Sequence, residues 1–186
     1  MKIKWLDLFE WALRINVFLK LFNYGVGKII GQQFYRKGEI PTEVGTLSLA
    51  QTESFDLAWT FFGHSEGYIL FIGITQLLGA LLFLLPRTKL IGGLMLIPVL
   101  VNIIVVDFFF NVAWGALFAA VFYLCSILFV LGRNRVRLGN LLKSLVTALP
   151  AYTGKKWLNI ALVIASLIVV FAIELGITML LGYEAR

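Results

Sequence analysis

Long apolar stretches cut by short polar or basic breaks dominate the chain from residue 68 onward. A helix crossing a bilayer needs about 20 predominantly apolar residues, and four segments have that length. Residues 68–85 and 112–131 carry no charge; 90–110 carries only Asp107, and 158–182 only Glu174. The breaks are Pro86-Arg87-Thr88-Lys89, then Asn111, then a longer basic stretch from Gly132. A fifth span is expected at 11–30, although Arg14, Lys20 and Lys28 interrupt it. Leu13, Val17, Phe18 and Leu21 give it an apolar surface, and Glu10 precedes Arg14 by four residues, the favourable order for a helical ion pair. It does not read as a signal peptide, because charge breaks the apolar stretch and no small-x-small cleavage site follows. The alternative is an amphipathic helix lying in the interface.

Residues 31–67 form an outer loop too long for a plain connection, and its apolar part, 49–63, is expected to fold as a short helix over the mouth of the bundle. Between the last two spans, Leu138, Leu141, Leu142, Leu145 and Leu149 recur at helical spacing, opposite Arg137, Asn140, Lys143, Ser144 and Thr147. This predicts an interfacial helix over about 137–149, stopped by Pro150. The fold class is thus all-α: a multi-pass transmembrane helical bundle forming a single membrane domain over 1–186.

Composition changes this picture little and excludes much. The apolar share is 60% and the charged share 14%, against about 45–50% and about 25% in soluble domains. Mean hydropathy is +0.92. A soluble domain of 186 residues has too small an interior to hide so much apolar surface. Disorder, collagen-like repeats and a disulfide scaffold are excluded as well.

Charge adds direction. The net charge is +6, but the basic residues sit in a few loops, so they point to anionic lipid head groups rather than nucleic acid. With five spans, Lys2 and Lys4, then Arg87 and Lys89, then Arg133, Arg135, Arg137, Lys143, Lys155 and Lys156 share one side. The acidic loop 31–67 lies opposite. Cytoplasmic basic loops then put the protein in the cell membrane with its N-terminus in the cytoplasm and its C-terminus outside.

Ionisable groups inside spans are costly unless paired or wetted, so their depth is informative. At 1.5 Å per residue, Lys28, Asp107 and Glu174 each lie about 25 Å from the cytoplasmic end of their helix, and Gln76 about 12 Å below the outer surface. Four spans therefore carry one polar side chain at a common level. This is a candidate outward-facing pocket for a small solute, a quinone head group or water; the alternative is a structural ion pair holding the helices together. Asn111, four residues after Asp107, either shares its face or forms the turn itself. Trp59 either covers the site or belongs to an interfacial aromatic belt. Asn102, four residues after Pro98, is expected to bond a carbonyl in the kinked turn, and Lys20 to snorkel or turn inward. Cys125 and His64 stand alone, so no disulfide, thiol pair, metal site or bis-histidine haem is expected, and no catalytic or phosphate-binding motif appears.

The run Trp59-x-Phe-Phe-Gly63-His-Ser-x-Gly-Tyr68, then Phe71-x-Gly73-x-x-Gln76-Leu-Leu-Gly79, then Leu85-Pro-Arg-Thr88 and Gly92-Gly93, resembles the DoxX-like membrane family. Asn23-Tyr-Gly25-x-x-Lys28 through Gln33-Phe34 fits that family's first helix. The likeness covers roughly residues 12–131. It implies a four-helix DoxX-like core, to which 158–182 adds a fifth C-terminal span. Many relatives carry a glutamate where this chain has Gln76, which puts a proton or redox role there in doubt. The family is linked by name to a thiosulfate:quinone oxidoreductase subunit, so the resemblance implies a membrane subunit more than an enzyme. Three functions follow as expectations: a non-catalytic accessory, with a protein partner, of a membrane redox or stress-response complex; a small-solute transporter; or a structural scaffold.

Overall fold

The computed structural model describes residues 5–31, 33–147 and 156–181. The described residues form helices and no strand. Lys2, Lys4, Leu149, Pro150 and Lys155, which entered the reading of charge and of the interfacial helix, lie outside them.

The chain divides into two compact units, Met1–Asn140 and Leu141–Arg186. In the first unit, α1 (Trp5–Ile29), α4 (Glu66–Leu84), α5 (Lys89–Phe109) and α6 (Trp114–Arg133) form a ring: α1 packs on α4, α4 on α5, α5 on α6, and α6 returns to α1. Two shorter helices, α2 (Thr42–Gly45) and α3 (Ser54–Gly63), fold out of the 31–67 loop, and α3 lies against α4. The helix α7 (Arg135–Thr147) starts in the first unit, where Leu138 packs on its core, and runs into the second. Leu141 and Leu142 of α7 are exposed. The second unit holds α8 (Lys156–Leu181), whose described apolar residues are exposed.

Each ring helix buries one stripe at three- and four-residue spacing, as an amphipathic helix must. In α4 the stripe is Ile69, Gly73, Gln76, Ala80 and Phe83; in α6 it is Leu117, Ala120, Tyr123, Ile127 and Val130. In α1 the stripe is Glu10, Arg14, Val17, Leu21, Gly25 and Lys28, so the helix carries five charged residues, three of them buried and two, Asp7 and Lys20, exposed. That is why α4, α5, α6 and α8 are, among the described residues, long and apolar enough to cross a membrane while α1 falls outside that set. Four such helices make this a membrane protein.

Small residues let the backbones approach, the device by which helices associate without a hydrophobic driving force. Gly25 of α1 faces Gly73 of α4, where an added Cβ would come within 3.3 Å of the Gly73 carbonyl. Gly92 of α5 rests on the Phe83 backbone of α4, and any side chain there would run into it. Ser65 caps α4, its hydroxyl accepting from the Tyr68 amide, and Pro86 follows the end of that helix.

The end of the ring that carries the basic turns is closed by charge. The Arg14 guanidinium is 2% exposed and donates to the Phe83 carbonyl at 3.0 Å and to the Leu84 carbonyl. It thereby satisfies the unpaired C-terminal carbonyls of α4. Glu10 accepts from Lys89 at 2.5 Å and pairs with Arg133 at 3.3 Å and with Arg14 at 4.0 Å. One carboxylate so joins α1 to α5 and α6. Above it lies a dry core of Val17, Leu21, Phe83, Leu96, Leu100, Ile127 and Val130.

Candidate functional site

Beyond that core the ring opens into a cavity of about 420 Å³ at the end away from the basic turns. All four ring helices contribute to its wall. The α1 helix supplies Leu21, Tyr24 and Lys28, one helical row at spacings of three and four. The α4 helix supplies Tyr68, Phe71, Ile72, Thr75 and Gln76, and α5 supplies Pro98, Asn102, Ile103, Val106 and Asp107 among others. From α6 come Ala116, Ala119, Ala120 and Tyr123. Pro98 lacks an amide, so the ladder of α5 is broken at this level and the carbonyl four residues earlier loses its donor.

The roof is aromatic. Trp59 and Phe62 on α3 meet Phe34, at ring-centroid distances of 5.6 and 5.4 Å, and all three line the cavity. Phe55 stacks on Trp59 at 4.2 Å. Tyr35 donates to the Asp56 carboxylate at 2.9 Å and ties the loop to α3. Burial and the Asp56 carboxylate push the Tyr35 phenol above its ordinary pKa, so it stays protonated and keeps donating. The Arg36 guanidinium donates to the Ile29 carbonyl at 2.5 Å, closing the end of α1.

Against these apolar surfaces stands a small polar constellation. Lys28 donates to the Gln76 side-chain oxygen at 3.1 Å. Gln76, 1% exposed, donates through its amide nitrogen to the Leu21 carbonyl at 2.8 Å, which fixes which end of the amide faces Lys28. Asp107 sits on the α5 wall, 8% exposed. No ion pair joins it to Lys28 among the described residues, so neither charge is neutralised by contact. A lysine ammonium has three donors; one goes to Gln76, and the Phe34 ring lies 6.0 Å away. The arrangement offers hydrogen-bond donors from one wall and a carboxylate acceptor from the other, in a space of the size usual for small-molecule sites.

Of the residues singled out in the sequence, Lys28, Gln76, Asp107 and Trp59 come together around this cavity. Two do not. Asn111 is exposed and forms the α5–α6 turn, with φ 53°; asparagine tolerates that left-handed geometry better than most residues. Glu174 is on α8, in the second unit. Counting along the helix gave its depth but not its neighbours. Asn102, expected to bond a carbonyl, instead lines the cavity. Lys20 is exposed on α1.

The sequence reading missed Tyr24, Thr75 and Tyr123 in the wall and Phe34 and Phe62 in the roof. Tyr24 had a usable signal, since it precedes Lys28 by one helical turn. For the roof, the apolar stretch 49–63 signalled a covering helix, but the pairing with Phe34 had no signal, because those rings meet across separate parts of the chain.

No family model and no solved structure matches the chain. It is 34% identical over 124 residues to the uncharacterized protein YwoB of Bacillus subtilis (strain 168), an alignment that covers 67% of this chain and 77% of that protein. Likeness at that level over most of both sequences makes the chain a member of the YwoB family.

Proposed function

We propose that the protein is a multi-pass accessory of a membrane redox or stress-response complex, without catalysis of its own, that holds a small polar head group in the cavity beneath α3. The observation that carries this reading is one ammonium and one carboxylate, Lys28 and Asp107, on separate walls of a largely apolar cavity and not in contact. Where this protein uses charge only to hold helices, the groups close up, as Glu10 and Lys89 do at 2.5 Å. Charges left apart in a low-dielectric space await a partner. The resemblance to DoxX-like proteins supports the accessory role, and Gln76, which does not titrate, favours binding over proton transfer at that position.

In this reading α1 also crosses the membrane, since it runs beside α4 from Arg14 at Phe83 to Gly25 at Gly73. With α4, α5, α6 and α8 it makes five spans, N-terminus cytoplasmic and C-terminus outside the cell membrane. The basic turns and the exposed leucines of α7 rest on anionic lipid head groups at the cytoplasmic face.

A transporter would need a polar path through the inner half of the ring, and the buried core there is apolar. A scaffold would need no cavity. The test is affinity purification of the tagged full chain from its native membrane in mild detergent. An oxidoreductase that copurifies in fixed ratio supports the accessory reading. A chain that purifies alone and moves a solute in proteoliposomes replaces it with transport.

A further inference from the structure

We propose that the cavity takes its ligand from the bilayer through the seam between α4 and α5, and that this ligand is a zwitterionic lipid whose head group bridges Lys28 and Asp107. The inference rests on the cavity being a head-group site, and adds the route and the chemical class.

The route follows from where the lining residues point. On α6 they share the helix face of the buried core, so the cavity stays inside the ring there. On α1 Tyr24 lines the cavity and is 47% exposed, and on α4 and α5 the lining turns outward furthest: Phe71, at 64%, Pro98 and Asn102 bound the cavity and are exposed on the surface of the ring. The same seam is tight at its other end, where Gly92 rests on the Phe83 backbone. The outward-turned lining lies toward the level where Pro98 breaks the α5 ladder. The aqueous end is closed by comparison, with Phe34, Trp59 and Phe62 roofing it and Tyr35 latched to Asp56. A solute arriving from water must displace α3. An amphiphile arriving from the bilayer slides between Phe71 and Asn102, its chain remaining in the hydrocarbon.

The chemical class follows from charge. Lys28 and Asp107 cancel, so a head group of either net sign meets one attractive and one repulsive group. A head group with acceptors alone leaves the Asp107 carboxylate without a donor, which is costly in a dry site. A zwitterion satisfies both: its anionic group accepts from Lys28 and its cationic group donates to Asp107, each as a charge-assisted hydrogen bond.

The test uses the full chain in maltoside detergent and four probes: lysophosphatidylethanolamine, lysophosphatidylglycerol and monoacylglycerol of one chain length, and water-soluble O-phosphoethanolamine. Binding is read by native mass spectrometry and association by stopped-flow fluorescence. Lysophosphatidylethanolamine is expected to bind at least tenfold more tightly than each of the others. Asp107→Asn should reverse the order in favour of lysophosphatidylglycerol, a change of preference that misfolding does not produce. Thr75→Trp, which fills the seam, should slow lysophosphatidylethanolamine association tenfold and keep the order of preference.

Equal affinity for the ethanolamine and glycerol phospholipids overturns the class. The route needs no variant to fail: if O-phosphoethanolamine competes with the lysolipid mole for mole, access is from water, while the head-group site stands. Binding of every probe unchanged by Lys28→Met would instead remove the head-group site itself.

Discussion

Glu10 holds three basic side chains from three helices, and its own side chain is 9% exposed. Removing one member of a buried charge cluster leaves the others uncompensated, typically at about 3–5 kcal/mol. Glu10→Gln should therefore lower the melting temperature of the detergent-solubilised protein strongly. Glu66→Gln, at an 82% exposed partner of Arg36 4.0 Å away, should cost less than about 1 kcal/mol. Comparable losses from the two would mean that Glu10 is not the clamp described. At the other end of α1, Lys28 is buried and bonded to Gln76, while Lys20 is exposed. Lys28→Met leaves the buried Gln76 side-chain oxygen without its donor, so it should destabilise the extracted protein more than Lys20→Met. Identical thermal melts for these two variants would count against a buried cluster.

Among the elements, the α4–α5 contact depends on backbone proximity at Gly92. Overpacking a tight core costs about 1–3 kcal/mol when side chains can give way, and here the obstacle is the Phe83 backbone. Gly92→Val is expected to abolish the monodisperse peak in size-exclusion chromatography. Gly139→Ala on α7, with open space around its Cβ, should be neutral or stabilising by up to about 1 kcal/mol, because glycine is the poorer helix former. Helix positions were legible in advance to within a few residues, since 68–85 became Glu66–Leu84 and 90–110 became Lys89–Phe109. The first helix starts earlier than expected, at Trp5 instead of residue 11. Its opening turns are paid for in pairing, not hydropathy: Glu10 and Arg14 find partners on other helices.

Taken as a whole, the molecule has its buried charge clamp at one end of the ring and its cavity at the other, with a dry core between. The proposed five-span orientation would place the cavity toward the outside of the cell. Replacing Cys125 with alanine and introducing cysteine at residue 184 tests this. Labelling by a membrane-impermeant thiol reagent in whole cells is expected; labelling only after lysis would invert the topology.

What the chain alone determined was local: which stretches are apolar enough and long enough to form membrane helices, and how deep each polar group lies along its own helix. Both follow from hydropathy and from the fixed rise per residue. Tertiary structure decided the azimuth of each helix and the identity of its neighbours. Successive residues turn by about 100°, so groups at one depth can face one another or point apart. Lys28 and Gln76 met, with Asp107 on another wall of the same cavity, because their helices close a ring. Asn111 went into the turn, and Glu174 belongs to a helix of the other unit. The aromatic roof and the seam opposite the tight Gly92 contact arise from contacts between segments far apart in the chain, which no count along a single helix contains.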